Sequence, residues 1–509
     1  MSEPYDLLVV GGGINGVAIA RDAAGRGFKV LLCEKGDLAA ATSSASSKLV
    51  HGGLRYLEHG DFRLVRESLA EREVLLRMAP HLVCPMSFVL PQGLGSRPGW
   101  IVRAGLFLYD RLGGARSLPG ARALDLRRDP LGAPLRKPGG GFVYADCRVD
   151  DARLTVVTAR DAAERGAAIL TRTALVSAGR GADLWRATLQ SEGEMKREVA
   201  ARVLVNATGP WVLDVLRLAG LSAHRALRLV KGSHIVVPRL FEGEHAYLLQ
   251  NDDRRIVFVI PFEHEFSLIG TTELPFTGDP AKVEITEEEV AYLCRAVARW
   301  FAKPPKPADV AWCYAGVRPL YEDRARSASA VTRDYVFDID TAGPPALSIF
   351  GGKLTTHRRL AEHALARLMP YPPHAGEPWT AQSLLPGGSD LPSGGVEALA
   401  LELARDHPEL DAATADRLAR SYGTEARQIL REPQGHDFGH GFGEAELRWL
   451  VEKEWAQTAE DVLWRRTKLG LVVTPSEVQQ VAAFLARLRR DAGSPAAAAS
   501  APAGQTAYR

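Results

Sequence analysis

The stretch LLVVGGGING at residues 7–16 decides the fold class. Its four leading apolar residues predict a β-strand that is buried on both faces, as in a parallel sheet. The Ala-rich segment after the glycines predicts a helix that ends near residues 25–27. A second apolar run at residues 29–34 predicts the next strand. Strand, turn, helix and strand together predict a βαβ unit and therefore a mixed α/β fold.

The glycines of this turn predict a dinucleotide site, because they form the pattern G-x-G-x-x-G between a strand and a helix. Gly11 allows the tight turn, Gly13 lets the backbone approach the pyrophosphate, and Gly16 allows close packing of helix and strand. The N–H groups at the start of the helix attract the phosphates. Glu34, at the end of the second strand, is placed to accept hydrogen bonds from the adenosine ribose.

Two later segments favour FAD over NAD as the dinucleotide. Residues 40–48, AATSSASSK, offer small hydroxyl side chains and backbone amides that suit the second phosphate and the ribityl chain of a long cofactor. Ala207-Thr208-Gly209 follows a predicted strand at residues 201–206 and resembles the A-T-G segment that approaches the cofactor in FAD-binding folds.

Composition excludes several other classes of protein. The 63 basic and 61 acidic residues leave a net charge of +2, which gives no electrostatic case for nucleic acid as a partner. The five cysteines are scattered without a C-x-x-C pair, so neither a disulfide framework nor a thiolate metal site is expected. No secretory signal or run of 18 apolar residues occurs, so we expect a cytoplasmic protein or one attached to a membrane surface.

The pattern of the remaining chain predicts mostly regular structure and a domain boundary. Alternating apolar residues at 256–260 and 267–270 predict an antiparallel sheet in the middle of the chain. Helical periodicity appears at residues 63–78, 151–165, 354–368 and, almost without interruption, 396–490. The predicted divisions are an oxidoreductase region at 1–370, a Pro- and Gly-rich linker at 371–395, a helical domain at 396–490 and a disordered tail at 491–509.

Seven segments resemble, in collinear order, the family of FAD-dependent, quinone-linked glycerol-3-phosphate dehydrogenases. They are TSSASSKLVHGGLRYL at 42–57, VDDARL at 149–154, KGSHI at 231–235, IGTT at 269–272, AGVRPL at 315–320, FGGKLTT at 350–356 and DVLWRRTK at 461–468. The resemblance runs from about residue 5 to 490. One position departs from the family pattern: His357 stands where we expect Tyr, which puts a contact near the flavin in doubt.

The resemblance implies a fold like that of D-amino-acid oxidase. An FAD domain is built from separated segments, a mostly antiparallel β substrate domain is inserted at roughly 86–145 and 231–330, and a helical C-terminal domain follows. It also implies oxidation of sn-glycerol 3-phosphate to dihydroxyacetone phosphate, with electrons passing from FAD to membrane quinone. The protein would then lie peripherally on the cytoplasmic face of the bacterial inner membrane.

Three matters stay open at this point. A glycerol-3-phosphate oxidase would pass the electrons to oxygen instead of quinone. A flavin-binding interaction protein without turnover is an alternative from a different class. A homodimer is compatible with the sequence.

The proposed chemistry needs cations for a phosphate dianion and a base for the alcohol proton. Arg55 and Arg318 are the candidates for the phosphate, because a guanidinium makes paired hydrogen bonds to it. His51 is the leading general base and His234 its competitor. If residues 51–55 were helical, His51 and Arg55 would share one face. Lys353, after two glycines and before a helix, is placed to stabilise negative charge on the reduced cofactor or on the substrate.

These considerations predict two overlapping sets of site residues. The expected substrate-binding residues are Arg55, Tyr56, His234, Thr271, Arg318 and Lys353. The expected cofactor-binding residues are Gly11, Gly13, Ile14, Asn15, Gly16, Glu34, Thr42, Ser43, Ser47, Leu49, Ala207, Thr208, Gly209, Gly352, Lys353, Leu354 and Thr355.

Residues 97–111, RPGWIVRAGLFLYDR, combine aromatic, apolar and arginine side chains. This composition is typical of a helix in a membrane headgroup interface. It is equally compatible with a buried helix that has a charged outer stripe.

Overall fold

The computed structural model of the chain describes residues 3–93, 96–114, 117–193, 195–253, 255–321, 334–371 and 376–491. For Arg55, Glu58 and His59 it describes the backbone only. The predicted disordered tail therefore lies outside the described residues, apart from Asp491, and so does a part of the predicted linker, 372–375.

The described chain forms strands throughout its first 350 residues. The strands are β1 (Tyr5–Val10), β2 (Val30–Cys33), β3 (Leu49–Val50), β4 (Val83–Pro91), β5 (Arg122–Asp125), β6 (Gly140–Val149), β7 (Ala168–Leu170), β8 (Thr173–Arg180), β9 (Trp185–Ser191), β10 (Arg197–Asn206), β11 (Leu227–Pro238), β12 (Ala246–Gln250), β13 (Ile256–Phe262), β14 (Phe266–Gly270), β15 (Leu274–Pro275), β16 (Trp312–Tyr321), β17 (Val336–Asp340) and β18 (Ala346–Phe350).

Helices alternate with these strands and then make up the C-terminal part. The helices are α1 (Ile14–Gly25), α2 (Phe62–Met78), α3 (Gly99–Leu112), α4 (Asp151–Glu164), α5 (Val212–Leu218), α6 (Glu287–Ala298), α7 (His357–Leu368), α8 (Gly395–Asp406), α9 (Ala412–Tyr422), α10 (Ala426–Arg431), α11 (Glu444–Glu454) and α12 (Pro475–Asp491).

The first sheet is the cofactor sheet, with strand order β17-β18-β10-β1-β2-β7. Its centre is parallel: β1 lies between β10 and β2, and β18 extends the parallel set beyond β10. Leu7, Leu8 and Val9 are completely buried, as expected for a strand that is covered on both faces. Helix α1 packs against α4 and α7 on one of those faces. The predicted βαβ unit at the N-terminus is confirmed.

The second sheet, named the substrate sheet after the substrate domain that the resemblance implies, is ten-stranded and mostly antiparallel, with the path β15-β11-β14-β13-β12-β4-β6-β3. Strands β13 and β14 pair in antiparallel register, which confirms the sheet predicted from residues 256–260 and 267–270. The aliphatic residues Ile235, Val257 and Val259 belong to the core between this sheet and helix α6. Helix α6 thus covers one face of this sheet.

The C-terminal helices α8–α12 have a hydrophobic core of their own, which includes Leu399, Leu418 and Leu447. Buried ion pairs attach them to the rest of the chain. Asp37 accepts hydrogen bonds from Arg465 at 2.7 Å and from Arg466 at 2.8 Å. These arginines lie in a π-helical turn at Asp461–Arg466. The turn brings the C-terminal helices against the loop that follows β2.

Helix α3 occupies most of the segment 97–111 and has two different faces. Leu106 and Tyr109 are buried, whereas Trp100 is 73% and Phe107 59% exposed. The buried face and the exposed arginines agree with the alternative of a buried helix that has a charged outer stripe, but large apolar side chains share that outer face. None of the helices in the described part of the chain combines the length and the apolar content needed to cross a bilayer.

Candidate functional site

A cleft of about 840 Å³ lies outside the carboxyl ends of β1, β2, β10 and β18, the usual ligand position in parallel sheets. The substrate sheet and the C-terminal π-helical turn form its other walls. The predicted site residues that line it are Gly11, Gly13, Ile14, Asn15, Glu34, Thr42, Ser43, Ser47, Leu49, His51, Tyr56, Ala207, Thr208, Gly209, Thr271, Arg318, Gly352, Lys353, Leu354 and Thr355.

The glycine-rich turn has the close contacts that its sequence predicts. Gly11 has a φ of 111°, and a Cβ there would lie 2.6 Å from the carbonyl oxygen of Ala207. A Cβ on Gly16 would lie 2.0 Å from the carbonyl oxygen of Gly11. Gly16 does not line the cleft, so its contribution is the close packing of helix on strand. Only glycine is compatible with either position.

The walls of the cleft fit a long dinucleotide. Asn15 presents a buried Oδ1 that has no hydrogen-bond partner among the described residues, so an acceptor is available for a ligand. Ser43 Oγ accepts the N–H of Ile14 at 2.9 Å, at the start of α1. Glu34 accepts the N–H groups of Gly12 and Gly36 at 2.6 and 2.8 Å. Burial raises the pKa of Glu34, and these N–H groups oppose that rise.

His51 and His234 have different environments. His51 lines the cleft in the loop after β3, where its N–H faces Thr355 Oγ1 at 3.4 Å and its ring lies edge-on to Phe258. His234 is buried behind the cleft wall: its Nε2 is 2.9 Å from Ser47 Oγ. Burial, together with the charges of Arg318 and Lys48, holds the pKa of His234 well below its ordinary value. His234 is therefore neutral and away from the cavity surface.

The notion of a shared helical face for His51 and Arg55 is wrong. The 3₁₀ helix of this segment covers Leu54–His59 and begins after His51. Gly53 separates the two residues with a φ of 76°, which breaks the helical geometry. The side chain of Arg55 lies outside what the structure describes.

The two other predicted cations line the cleft. Arg318 approaches Thr271 Oγ1 at 3.4 Å and Glu273 at 3.6 Å, and these contacts orient its guanidinium. It crosses close to Gly232, where a Cβ would lie 3.0 Å from Arg318 Nη2. The ammonium of Lys353 lies over the ring of Tyr56, 3.9 Å from its centroid. Two walls of the cleft thus each carry a positively charged side chain, Arg318 on one and Lys353 on the other.

Several residues that line the cleft are not indicated by the sequence pattern. Trp464 and Lys468 come from the C-terminal domain, Phe258 and Trp312 from the substrate sheet, and Glu273 from the link between β14 and β15. The segment 461–468 carries a resemblance to the family, but no local pattern indicates that it reaches a cleft built from the N-terminal part of the chain.

His357, the departure from the family pattern, is not among the residues that line the cleft. It is buried, and its Nδ1 donates to the carbonyl of Leu354 at 2.7 Å. Burial lowers its pKa to about 4, so the ring is neutral. This histidine therefore stabilises the start of α7.

Comparison with known proteins identifies the family. The profile of the FAD dependent oxidoreductase family matches residues 6–358, and that of the C-terminal domain of alpha-glycerophosphate oxidase matches residues 379–492. A glycerol-3-phosphate dehydrogenase of Pseudomonas aeruginosa is 52% identical over 495 residues, which covers 95% of this chain and 96% of the relative. A D-erythritol 1-phosphate dehydrogenase of Brucella abortus is 50% identical over 488 residues, covering 94% and 97%.

The fold is shared with a solved structure. The glycerol-3-phosphate dehydrogenase from Bacillus halodurans, complexed with FAD, superposes with a TM-score of 0.75 at 27% identity, covering 96% of this chain and 91% of that one. The predicted fold class and the predicted cofactor are thereby confirmed. The chain belongs to the FAD dependent oxidoreductase family, within the group that contains the glycerol-3-phosphate dehydrogenases, and FAD is its cofactor.

Proposed function

We propose that the enzyme oxidises sn-glycerol 3-phosphate to dihydroxyacetone phosphate. The observation that carries this proposal is that His51, Arg318 and Lys353 line the same cleft as the dinucleotide turn. Bound FAD supplies the acceptor for the hydride that leaves C2 of the substrate. The residues of the chain must then hold the phosphate, orient the alcohol and remove its proton.

Arg318 is the proposed phosphate ligand. Its side chain is 29% exposed and therefore only partly hydrated, which strengthens its attraction for a dianion. Thr271 and Glu273 lie 3.4 and 3.6 Å from the guanidinium and limit its freedom before the substrate arrives, so less conformational freedom is lost on binding. Arg55 is proposed as a second ligand on the basis of the sequence.

His51 is the proposed general base. An imidazole at the cavity surface can accept a proton from a bound alcohol, and His51 lies there whereas His234 does not. His234 contacts Ser47 and stacks on Tyr314 with ring centroids 4.8 Å apart. Its proposed role is to support the wall of the cleft from behind.

We also propose that the electrons pass to quinone in a membrane. The outer face of α3 supports this proposal, because Trp100 and Phe107 are exposed together with Arg103 and Arg111. Aromatic and cationic side chains on one helix face are typical of surface attachment to anionic lipid. The site would be the cytoplasmic face of the bacterial inner membrane. Oxygen is the alternative acceptor.

A second candidate substrate is D-erythritol 1-phosphate. The Brucella abortus relative is named for it, and its identity of 50% is close to that of the glycerol-3-phosphate dehydrogenase of Pseudomonas aeruginosa. Both compounds combine a phosphate monoester with a secondary alcohol, so the same Arg318 and His51 would serve either one.

Anaerobic reduction of the purified holoenzyme tests the proposal. Glycerol 3-phosphate should abolish the oxidised flavin absorbance at a rate that supports turnover, and a quinone analogue should restore it. Stoichiometric hydrogen peroxide in air would identify an oxidase. Much faster reduction by D-erythritol 1-phosphate would assign the four-carbon substrate. If neither phosphate reduced the flavin while another donor did, the proposed function would be wrong.

Sedimentation of the same sample would show whether the protein is a homodimer.

A further inference from the structure

A buried tyrosine of α3 holds the loop that carries His51. Tyr109 is 2% exposed, and its hydroxyl oxygen accepts the backbone N–H of Gly52 at 2.8 Å. The contact is close, because a Cβ on Gly52 would lie only 2.6 Å from that oxygen. The loop His51–Gly53 therefore rests directly on the tyrosine.

The hydroxyl of Tyr109 is itself fixed by a carboxylate. It donates its single proton to Asp146 Oδ2 at 2.7 Å, which leaves its lone pairs for the amide of Gly52. Asp146 in turn accepts from Arg72 at 2.8 Å, and both residues are buried. Burial and the nearby Asp146 raise the pKa of Tyr109 well above its ordinary value, so the proton stays in place.

This contact is a short hydrogen bond to the backbone of the loop. Gly52 and Gly53 lack side chains that could restrict them, and Gly53 has a φ of 76°. Gly53 accepts the N–H of Tyr56 at 2.9 Å. His51 contacts Thr355, with backbone-to-hydroxyl distances of 3.4 and 3.5 Å. Hydrogen bonds of that length are weak.

We propose that Tyr109 is a positioning residue for His51: its hydroxyl fixes the amide of Gly52 and so sets the direction in which the imidazole enters the cleft. This inference rests on the proposed role of His51 as the base. Tyr109 itself does not line the cleft, so it acts on the reaction only through the loop.

Tyr109→Phe tests the proposal, because it removes the hydroxyl and keeps the ring that packs edge-on against Tyr144. Misplacement of a catalytic group by about 1 Å can cost on the order of 100-fold in rate, so kcat should fall roughly 10- to 100-fold. The KM for glycerol 3-phosphate and the FAD content should stay close to those of the wild type. A substrate deuterated at C2 should show a larger isotope effect in the variant, because hydride transfer becomes more rate-limiting.

Tyr247→Phe is the matched control. Tyr247 is fully buried in the substrate sheet and donates to the carbonyl of Leu131, away from the cleft. This variant also loses a buried hydroxyl, and it should keep its kcat. An equal fall of kcat in both variants would show a general effect on stability and would overturn the positioning role.

A double-mutant cycle with His51→Asn separates this inference from the proposed function. If His51→Asn leaves kcat unchanged, the assignment of the base is wrong. A second outcome is that His51→Asn lowers kcat, and that adding Tyr109→Phe to this variant lowers kcat further by the factor seen in the wild type. The base assignment would then stand, but the positioning role of Tyr109 would fail. The proposal requires that Tyr109→Phe has almost no further effect once His51 is replaced.

Discussion

Trp464 of the C-terminal domain stacks on Trp312 of the substrate sheet, with ring centroids 4.5 Å apart and an angle of 23° between the planes. A row of rings continues from this pair: Trp312 is tilted against Tyr314 with centroids 4.9 Å apart, and Tyr314 stacks on His234 at 4.8 Å. Both tryptophans line the cofactor cleft. The π-helical turn of the C-terminal domain is therefore a wall of this cleft.

Asp37→Asn should weaken the attachment of the C-terminal domain and lower the free energy of unfolding. Asp37 is 3% exposed and neutralises Arg465 and Arg466, so the variant leaves two buried cations short of a counter-charge. Breaking a buried pair costs about 3–5 kcal/mol, and we expect the lower part of that range because both arginines retain other carboxylates. Chemical denaturation followed by tryptophan fluorescence should show the loss.

Asp125→Asn removes the exposed partner of Arg127 and should leave the unfolding curve almost unchanged. Equal curves for both variants would contradict this prediction.

Gly16→Ala should abolish FAD binding. The new Cβ would lie 2.0 Å from the carbonyl oxygen of Gly11, so helix α1 would have to move away from the turn. Gly105→Ala is the control: this glycine is also helical, and its Cβ would have no neighbour within 4 Å. Alanine is favoured over glycine in a helix by up to about 1 kcal/mol, so Gly105→Ala should keep FAD and stability. The flavin absorbance per mole of purified protein measures the difference. Full FAD content in Gly16→Ala would show that the turn tolerates a side chain.

Arg318→Ala should impair the use of phosphorylated substrate. A hydrogen bond to a charged group contributes about 1.5–3 kcal/mol, so kcat/KM for glycerol 3-phosphate should fall at least roughly 10- to 100-fold. Activity with glycerol, which lacks the phosphate, should be equally low in variant and wild type. The control is Arg299→Ala, at an arginine of the surface pair with Asp252. A similar fall with both substrates would mean that Arg318 does not act on the phosphate.

The contact between His264 and Asp416 should make the attachment of the C-terminal domain depend on pH. The hydrogen bond to Asp416 raises the pKa of His264 above its ordinary value of 6.5. Folding thus favours the protonated ring, and this stabilisation is fully present below that ordinary value and lost as the pH rises through the raised pKa. The histidine side chain is 56% exposed, so the effect should be at most about 1 kcal/mol.

Thermal unfolding of His264→Asn measures this effect. The variant should unfold at a lower temperature than the wild type at about pH 5.5 and at nearly the same temperature at about pH 9. A difference that grew towards high pH would contradict the assigned direction of the pKa shift.

The parts of the site that were predictable from the sequence depend on short stretches of chain. The strand, turn and helix of residues 7–25 follow each other directly, so their pattern fixed the dinucleotide turn. Glu34, Ala207 and Gly352 could be named because each follows a recognisable buried strand. Strand ends of a parallel sheet meet at one edge, which brings these residues together.

Other features depend on pairings between distant segments, which local patterns do not encode. His234 is buried because β11 pairs with β14, which sets it opposite Gly270, and because Ser47 covers it. The proximity of Trp464 to the cleft depends on how a separate domain packs. One local feature also could not be predicted. Residue type alone did not show whether the segment from His51 to Arg55 is helical or is interrupted by a left-handed Gly53.

The cofactor sheet takes its neighbouring parallel strands β1, β10 and β18 from residues near 5, 200 and 346. During synthesis β1 and the glycine turn therefore exist long before β10 and β18. At roughly 5–20 residues per second, about 20–70 s separate the emergence of the turn from that of Thr355. During this interval β1 has its neighbour β2 but lacks β10 on its other side, so the nascent chain must keep an apolar strand edge from aggregating. The FAD site is consequently assembled late, because Thr355 is followed by Trp464 and Lys468 of the cleft wall.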